Sequence, residues 1–436
     1  MASVIKRTVL FVSVSALACS SIDGRIDANS FDSVPSAGVA TGAPTPPRPG
    51  AESDSPAADC PVFAAENAGQ TASVLWLDGF GEGAATSLAS VAINARNDAF
   101  MTTEKGGTVA LATDGAFLWS KPFGSLVAVD AAGNVFLAGS FRDSLTVDSF
   151  TLTSAGGSDV FVVALDASGQ VRRSVVLGGA EDETVTSLAV AADGRAFISG
   201  SGLGTVALDA EGNIAWQVPY AGQLAAGAGG SLVVTGGFTG TADFGGGPLV
   251  SAGGSDIFVV KLDGAGEHLW SARYGDEGGA QEGQAIAVDS AGNILVAGVA
   301  DGTVDFGLGP LSPASCPAET WCEQVGFALK LGADGSALFS RSTGPMRELS
   351  GVALTSSGVV LLSGSLPGDA EPYRMPRLTA LHPNGDLLWE RQEWPETGLG
   401  GGHGVAVDRC NEIRWAVSAR PTFDANERAY LAKLAL

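Results

Sequence analysis

The chain has 436 residues, of which 45% are hydrophobic and 61 are glycine, and 24 Lys and Arg stand against 47 Asp and Glu. The resulting formal charge of −23 repels nucleic acid and anionic lipid, which argues against both as partners. Abundant glycine, few aromatic residues and this hydrophobic content are typical of a large all-β protein, which can form one closed body beyond the usual domain size.

Residues 1–18 have the pattern of a secretory signal peptide. A basic start (Lys6, Arg7) precedes an apolar run over 8–18, and Cys19 follows directly. The run is too short to remain as a membrane-spanning helix. Its end resembles a bacterial lipoprotein signal, which predicts that Cys19 is lipidated and becomes the mature N-terminus. The Ala-Leu-Ala before Cys19 also suits ordinary signal peptidase and free secretion.

A polar segment, residues 19–70, separates this signal from the rest of the chain. It is rich in Ser, Ala, Asp, Gly and Pro, as in "TGAPTPPRPGAESDSPAAD". Without apolar periodicity it buries too little surface to offset the entropy lost on ordering. The segment therefore predicts a disordered tether that holds a folded domain, residues 71–436, away from a membrane.

The folded domain repeats one pattern. "GSDVFVVALDASGQVRRSVVLGG" (157–179) returns as "GSDIFVVKLDGAGEHLWSARYG" (254–275), and looser copies occur elsewhere. Each unit has a run of small apolar residues, a turn of Asp or Asn with Gly, two further apolar runs and a fourth run that usually carries an aromatic residue. Such runs are typical of antiparallel strands, and four strands per unit are typical of a β-propeller blade.

The two ends of the domain set the number of blades. The last unit stops at "AYLAKLAL" (429–436) without a fourth strand, whereas "ASVLWLDGFGEG" (72–83) reads as a fourth strand without a unit. We predict an all-β, seven-bladed β-propeller in which the N-terminal strand closes the last blade, with six or eight blades as alternatives. The predicted blade limits are 81–123, 124–178, 179–220, 221–275, 276–344, 345–395, and 396–436 with 72–80.

The repeat also carries a family resemblance. Units of the form "GGAxxxxxAVDxxGNxxVAGxFxGTxDFGxGPLxSAGGSDxFVxKLDxxGxxLW" are clearest in 221–275 and 276–310, with a weaker copy in 124–166. They resemble the bacterial seven-bladed beta-propeller repeat (SBBP-type) lipoprotein family. The resemblance covers most of 79–436 and implies an exported or envelope-attached protein. Most of that family has no assigned activity, so the resemblance supplies no site residues.

A more local resemblance concerns "TVALDAEGNIAW" (205–216) and, loosely, "TVALATDGAFLW" (108–119). Both are similar to the repeat of pyrroloquinoline-quinone dehydrogenases and of the outer-membrane assembly lipoprotein that shares their propeller. The other units lack this pattern, and the sequence has no vicinal cysteine pair. The resemblance therefore implies an assembly scaffold as an alternative role, more than an enzyme.

The loops of a propeller divide between two ends. Turns between strands one and two and between three and four share the short-turn end, and they are of a structural Asp/Asn-Gly type, as in Asp166–Gly169. The other connections share the long-loop end, which varies and where binding is expected. Its acidic residues predict a carboxylate-rimmed mouth for a cation or a basic partner, or else solvated loop tips without a shared role: Glu82, Glu181, Asp182, Glu183, Asp276, Glu277, Glu282 and Glu396. The recurring Asp243-Phe244 and Asp305-Phe306 pairs are predicted to anchor loops.

The cysteines other than Cys19 predict disulfides. Their number is even, which favours bridges in an exported protein. Cys316 and Cys322 lie in one insert and are expected to bridge, and Cys60 then pairs with Cys410 by elimination, which would lock the seventh blade. The connectivity stays open. An oxidising compartment and the lack of a CxxC motif argue against zinc.

The sequence contains no recognisable catalytic set. Its three histidines, His268, His382 and His403, lie in different units, and neither HExxH nor GxSxG occurs. A Ser-His-Asp hydrolase would therefore depend on His403 alone. We predict no catalytic residue, no cofactor and no metal ligand.

Together these features predict a monomeric lipoprotein of the bacterial cell envelope, in the outer rather than the inner membrane, or a secreted protein if Cys19 is not lipidated. Its propeller would bind an envelope protein or glycan without catalysis, and it would contact the membrane only through its lipid anchor. The alternative is an envelope hydrolase or lyase that acts at the central channel. A buried, perturbed carboxylate pair at the mouth would favour the enzyme, and exposed, scattered carboxylates would favour the scaffold.

Overall fold

The computed structural model describes residues 73–80, 88–311, 324–367, 374–392, 400–408, 411–419 and 428–435. Several predictions fall outside these residues: the signal peptide, the tether, all five cysteines (Cys19, Cys60, Cys316, Cys322, Cys410), Glu82 and Glu396. In the part of the chain that is described, no helical segment is long and apolar enough to cross a membrane.

The described residues contain 32 β-strands, labelled β1 to β32 in chain order. They form seven four-stranded antiparallel sheets and two two-stranded hairpins. The sheets of blades 1 to 4 consist of β2 (Leu88–Ile93), β3 (Ala99–Thr103), β4 (Thr108–Leu111) and β5 (Phe117–Lys121); β6 (Leu126–Val129), β7 (Val135–Val147), β8 (Phe150–Leu165) and β9 (Val171–Leu177); β10 (Thr184–Val190), β11 (Ala196–Ser201), β12 (Gly204–Leu208) and β13 (Ile214–Val218); and β14 (Gln223–Ala226), β15 (Leu232–Phe238), β18 (Asp256–Leu262) and β19 (His268–Tyr274).

The sheets of blades 5 to 7 consist of β20 (Gln281–Val288), β21 (Ile294–Ala300), β24 (Val325–Leu331) and β25 (Ala337–Pro345); β26 (Glu348–Leu354), β27 (Val360–Pro367), β28 (Arg374–Leu381) and β29 (Leu387–Gln392); and β30 (Gly400–Val407), β31 (Glu412–Ala419), β32 (Arg428–Ala435) and β1 (Ser73–Phe80). The hairpins are β16 (Thr241–Asp243) with β17 (Pro248–Val250), and β22 (Val304–Asp305) with β23 (Pro310–Leu311). Each hairpin connects the second and third strands of its blade.

The blades form a closed ring. The first strand of every blade contacts the first strand of the next, and β30 of blade 7 contacts β2 of blade 1. Blade 7 joins both ends of the domain, because β1 pairs antiparallel with β32 from Ser73↔Ala435 to Phe80↔Ala429. The prediction of seven blades closed by the N-terminal strand is therefore confirmed. Closure pairs an edge that an open array would leave exposed.

Small residues allow the first strands to converge on the axis. A Cβ at Gly351 in β26 would lie 3.1 Å from Cα of Gly404 in β30. That distance is tighter than most Cβ contacts, so a side chain there would push blades 6 and 7 apart by a few tenths of an ångström. Close approach of the first strands is thus a steric reason for the run of small residues that opens each repeat.

Tryptophans of the fourth strands connect neighbouring blades. Trp216 of blade 3 donates its indole N–H to the carbonyl of Gly264 in blade 4, at 3.3 Å. Its ring lies where a Cβ of Gly266 would be, with Cδ2 only 2.7 Å from that position. Trp119 and Trp270 make the same contacts with the turns of blades 2 and 5. The aromatic residue and the Asp-Gly turn of the repeat therefore form one inter-blade contact.

The β16–β17 and β22–β23 hairpins fill the space between blades with aromatic side chains. Phe244 is 3% exposed and stacks on Phe258 with a centroid distance of 4.6 Å. Phe306 packs on Phe327 at 5.0 Å with the two rings tilted by 43°. Asp243 accepts hydrogen bonds from the backbone N–H groups that follow it, as does its counterpart in the second hairpin. The predicted loop-anchoring role of both Asp-Phe pairs is confirmed.

Candidate functional site

The first strands of all seven blades enclose a central channel with a cavity of about 400 Å³. Apolar side chains and backbone form much of the wall. Its polar groups are hydroxyls, amides and one imidazole, supplied by Ser90, Thr186, Ser187, Gln223, Gln284, Ser350 and His403. Among the described residues that line the channel there is no Asp, Glu, Lys, Arg or Cys. The channel is therefore a neutral, hydrogen-bonding site.

Five of the first strands carry a β-bulge at the same level of this channel. The pairing register shifts across Ala89 in β2, Thr186 in β10, Gln284 in β20, Ser350 in β26 and His403 in β30. All five bulge residues line the cavity. A bulge inserts one extra residue and re-aims its side chain. In five of the seven blades the bulge thus places one variable residue at the channel wall, a feature that the sequence interpretation missed.

Hydrogen bonds from the channel wall connect the first strands of adjacent blades. The Ser187 hydroxyl accepts the N–H of Leu224 at 3.0 Å, and the Gln284 amide oxygen accepts the N–H of Leu349 at 3.0 Å. Peptide groups at the axis are thereby satisfied without water. Ser187 and Gln284 therefore connect adjacent blades and also line the cavity.

His403 is the one channel residue with acid–base chemistry. Its Nε2 lies 2.6 Å from Oγ of Ser418, which is 1% exposed. The Ser418 hydroxyl is buried in β31, the second strand of blade 7, so it is not placed to attack a substrate in the channel. The pair orients the imidazole, and a serine hydrolase site built on His403 has no support in this geometry.

The predicted acidic residues that are described do not line the channel. Glu181, Glu277 and Glu282 are exposed. The carboxylate of Asp182 accepts bonds from Arg142 Nη2 and from the N–H of Ser158, each at 2.7 Å. These contacts order the loop between blades 2 and 3.

Glu183 and Asp276 also accept hydrogen bonds from backbone N–H groups of the loops between blades. Glu183 is 7% exposed and accepts the N–H of Gly179 at 3.0 Å. Asp276 accepts the N–H of Gly278 and of Thr303, both at 3.0 Å. The structure therefore divides the described acidic residues between two separate seams, blades 2/3 and blades 4/5.

The short-turn end shows the expected turn chemistry. The Asp209 carboxylate accepts the side-chain N–H of Asn213 and the backbone N–H groups of Asn213 and Glu211. The side-chain hydrogen bond from Asn213 and these backbone bonds lower the pKa of Asp209. In the described residues no group of three or more His, Cys, Asp or Glu side chains is arranged to hold a metal ion.

Comparisons with known proteins agree on the fold. No protein-family model matches the chain, and no curated protein matches it. The solved structure titled "Crystal structure of RRP9 WD40 repeats" is similar with a TM-score of 0.51 and 13% identity, over 82% of this chain and 97% of that chain. "Structure of U3-55K" is similar with a TM-score of 0.53 and 12% identity, over 82% of this chain and 98% of that chain. At such low identity the similarity shows the β-propeller fold and nothing about a ligand.

Proposed function

We propose that this protein is an envelope-anchored propeller of the SBBP type that binds an envelope protein or glycan in or over its central channel, without catalysis. The observation that carries the proposal is the set of bulges, which places a different residue from each of five blades at one cavity. Pockets of a few hundred Å³ with a small number of placed polar groups are typical binding sites.

The character of the wall indicates the character of the partner. Hydroxyl and amide groups pair with neutral hydrogen-bonding groups, such as sugar hydroxyls or the peptide groups of a loop. A strongly charged ligand would enter without a counter-charge, which is costly in a narrow channel. The closed ring supports this role, because a rigid scaffold holds such groups in place.

The proposed lipid anchor at Cys19 supports an envelope location. A signal-like segment ending at Cys19 and a polar segment of about fifty residues would place the propeller at a distance from a membrane. A ligand bound in the channel would then be held near the membrane surface. The disulfides proposed from the sequence, Cys316 with Cys322 and Cys60 with Cys410, would stabilise the domain in that oxidising compartment.

A pair of variants tests the binding site. Ser350 is exposed on its bulge and lines the channel, so Ser350→Phe fills the channel. Ser120→Phe places the same ring on the outermost strand of blade 1, where Ser120 is also exposed. Retention of each protein on immobilised envelope glycan and on detergent-solubilised envelope protein is then measured.

We expect S350F to lose at least about tenfold in affinity for one of the two probes, which is about 1.4 kcal/mol. S120F should bind like the wild-type protein, and both variants should keep its Tm. Equal binding by S350F and S120F would exclude the channel as the site. Turnover of a glycan probe by the wild-type protein would favour the hydrolase or lyase instead.

A further inference from the structure

Two buried carboxylates face each other at the seam between blades 2 and 3. Asp159 in β8 is fully buried, and Glu183, just before β10, is 7% exposed. Asp159 Oδ1 and Glu183 Oε2 lie 2.6 Å and 2.5 Å from the single position that a Cβ of Gly178 would occupy. Glycine at 178 therefore lets both carboxylates approach the same point.

No Lys or Arg among the described residues compensates the negative charge of this pair. Asp159 Oδ2 accepts the N–H of Ala155 at 2.6 Å, and Glu183 Oε2 accepts the N–H of Gly179. Within the part of the chain that is described, no donor reaches Asp159 Oδ1, and neither carboxylate forms an ion pair with Lys or Arg. Buried charges without a partner are strongly destabilising.

The seam between blades 4 and 5 has the same framework with part of its charge compensated by an arginine. Asp256 replaces Asp159 in the repeated "GGSD" segment and forms an ion pair with Arg273. Gln281 replaces Glu183, and Asp256 Oδ1 and Gln281 Oε1 both approach the Cβ position of Gly275 without a hydrogen-bond donor of their own among the described residues. Asp276 accepts the side-chain N–H of Gln281 at 3.1 Å, so one guanidinium stands against two carboxylates there, whereas the blade 2/3 pair has none in the described part of the chain.

Blade 2 lacks the compensating group. Val176 pairs with Phe161 as Arg273 pairs with Phe258, so valine stands where blade 4 has arginine. Glu183 adds a second negative charge where blade 5 has an amide. These two replacements make the blade 2/3 seam more negative by two units of charge, and Asp276 at the blade 4/5 seam offsets one of them.

We propose that the seam between blades 2 and 3 binds a calcium ion through Asp159 and Glu183. Ca²⁺ takes six to eight oxygen ligands in flexible geometry, so two carboxylates can be completed by backbone carbonyls and water. Mg²⁺ requires a stricter octahedron and dehydrates reluctantly. Gly178 is exposed at the long-loop end, which gives the ion a path from solvent. The ion would fasten blade 2 to blade 3 and is independent of the channel ligand.

The test compares three versions of the full chain after treatment with EDTA: wild type, Glu183→Gln and Glu181→Gln. E183Q reproduces the amide of the blade 4/5 seam, whereas E181Q removes one exposed charge from the same loop. Calcium binding is measured by isothermal titration calorimetry. Tm is measured with calcium chloride, and with magnesium or sodium chloride at the same ionic strength.

For wild type and E181Q we expect a dissociation constant of about 10⁻⁴ to 10⁻³ M. Their Tm should rise by about 2 to 4 °C in about 10 mM calcium. E183Q should bind this ion at least about tenfold more weakly and, without calcium, should be more stable than wild type. Val176→Arg, which installs the arginine of blade 4, should also abolish the calcium response and provides a second test if E183Q does not fold.

Three outcomes would overturn the proposal. One is the same calcium affinity in wild type and E183Q. Another is an equal rise in Tm with sodium chloride, which would indicate general screening of the acidic surface. The third is stabilisation of wild type by mild acid with no effect of calcium, which would indicate a proton shared between the carboxylates.

Discussion

The contact between Trp216 and the Gly266 turn makes a quantitative prediction about the seams of the ring. Gly266 has φ +84°, and a Cβ there would lie 2.7, 2.8 and 3.1 Å from three atoms of the Trp216 ring. Gly133 has nearly the same backbone conformation, φ +83°, but its Cβ would have no atom within 4 Å. In both turns the glycine N–H is bonded at 3.1 Å to the carbonyl of the preceding aspartate. Gly133→Ala is thus a matched control for Gly266→Ala.

The two substitutions should differ by the cost of the collision alone. A left-handed conformation costs alanine about 1 kcal/mol more than glycine, so G133A should lower the free energy of unfolding by about that amount. G266A adds overpacking against a ring held in place, which costs about 1–3 kcal/mol. We expect a total loss of about 2–4 kcal/mol for G266A.

Equilibrium urea unfolding of wild type, G133A, G266A and Trp216→Leu, with the double variant, measures these terms. In the W216L background the effect of G266A should fall to that of G133A, because the ring is gone. Such a cycle isolates the pairwise term. If G266A and G133A lose the same stability within about 0.5 kcal/mol, the indole does not hold the seam and our reading of the repeat is wrong.

Two further predictions concern alkaline stability and ring closure. Burial raises the pKa of Tyr220 to about 12. The stability that its neutral phenol contributes is therefore complete below the usual tyrosine pKa of 10 and is lost as pH rises from 10 to about 12. Tyr220→Phe should remove one late step from the 295 nm titration and reduce the loss of stability over that pH range. An unchanged titration would show that Tyr220 is not the buried phenol. Deletion of Ser73–Phe80 should leave one edge of β32 unpaired. The truncated chain should then unfold at a lower urea concentration and elute as an oligomer on size-exclusion chromatography. A truncated monomer of wild-type stability would argue against closure by β1.

Much of the ring was predictable because its determinants are local or repeated. Small residues at the start of each unit, Asp-Gly turns and an aromatic residue in most fourth strands are visible in the sequence, and the unmatched strands at the two ends can complete one blade. Even the limits of the blades agree closely, with β25 ending at Pro345 where 344 was expected. Most repeat positions have the same structural role in several blades, so a clear copy of the repeat helps to interpret a weaker one.

The channel residues were missed for a physical reason. A bulge depends on the pairing register between two strands, which composition and alternation do not report. A signal was nevertheless present: Thr186, Gln284, Ser350 and His403 each precede a small or apolar pair in an otherwise uniform motif. One varying position in an otherwise constant repeat marks residues that line the channel.

The acidic residues show the limit of a reading based on charge. Glu181, Asp182 and Glu183 are adjacent in sequence but have different surroundings, because only Glu183 turns inward to Gly178 and Asp159. Its partner lies on another strand, and the compensating group that blade 4 has and blade 2 lacks is a single residue, Arg273 against Val176. The Val176/Arg273 difference can be read from the aligned repeats, but that this position faces Asp159 and Glu183 emerges only from the structure.

Cross-linking mass spectrometry of the protein in its native membrane fraction tests the proposed function most directly. We expect a mature chain that begins at Cys19 with the added mass of two or three acyl chains, cross-linked to an envelope protein or glycan through residues of the first strands or the long-loop end. A mature chain without lipid in the soluble fraction, cross-linked only through its outermost strands, would contradict both the anchor and the binding site.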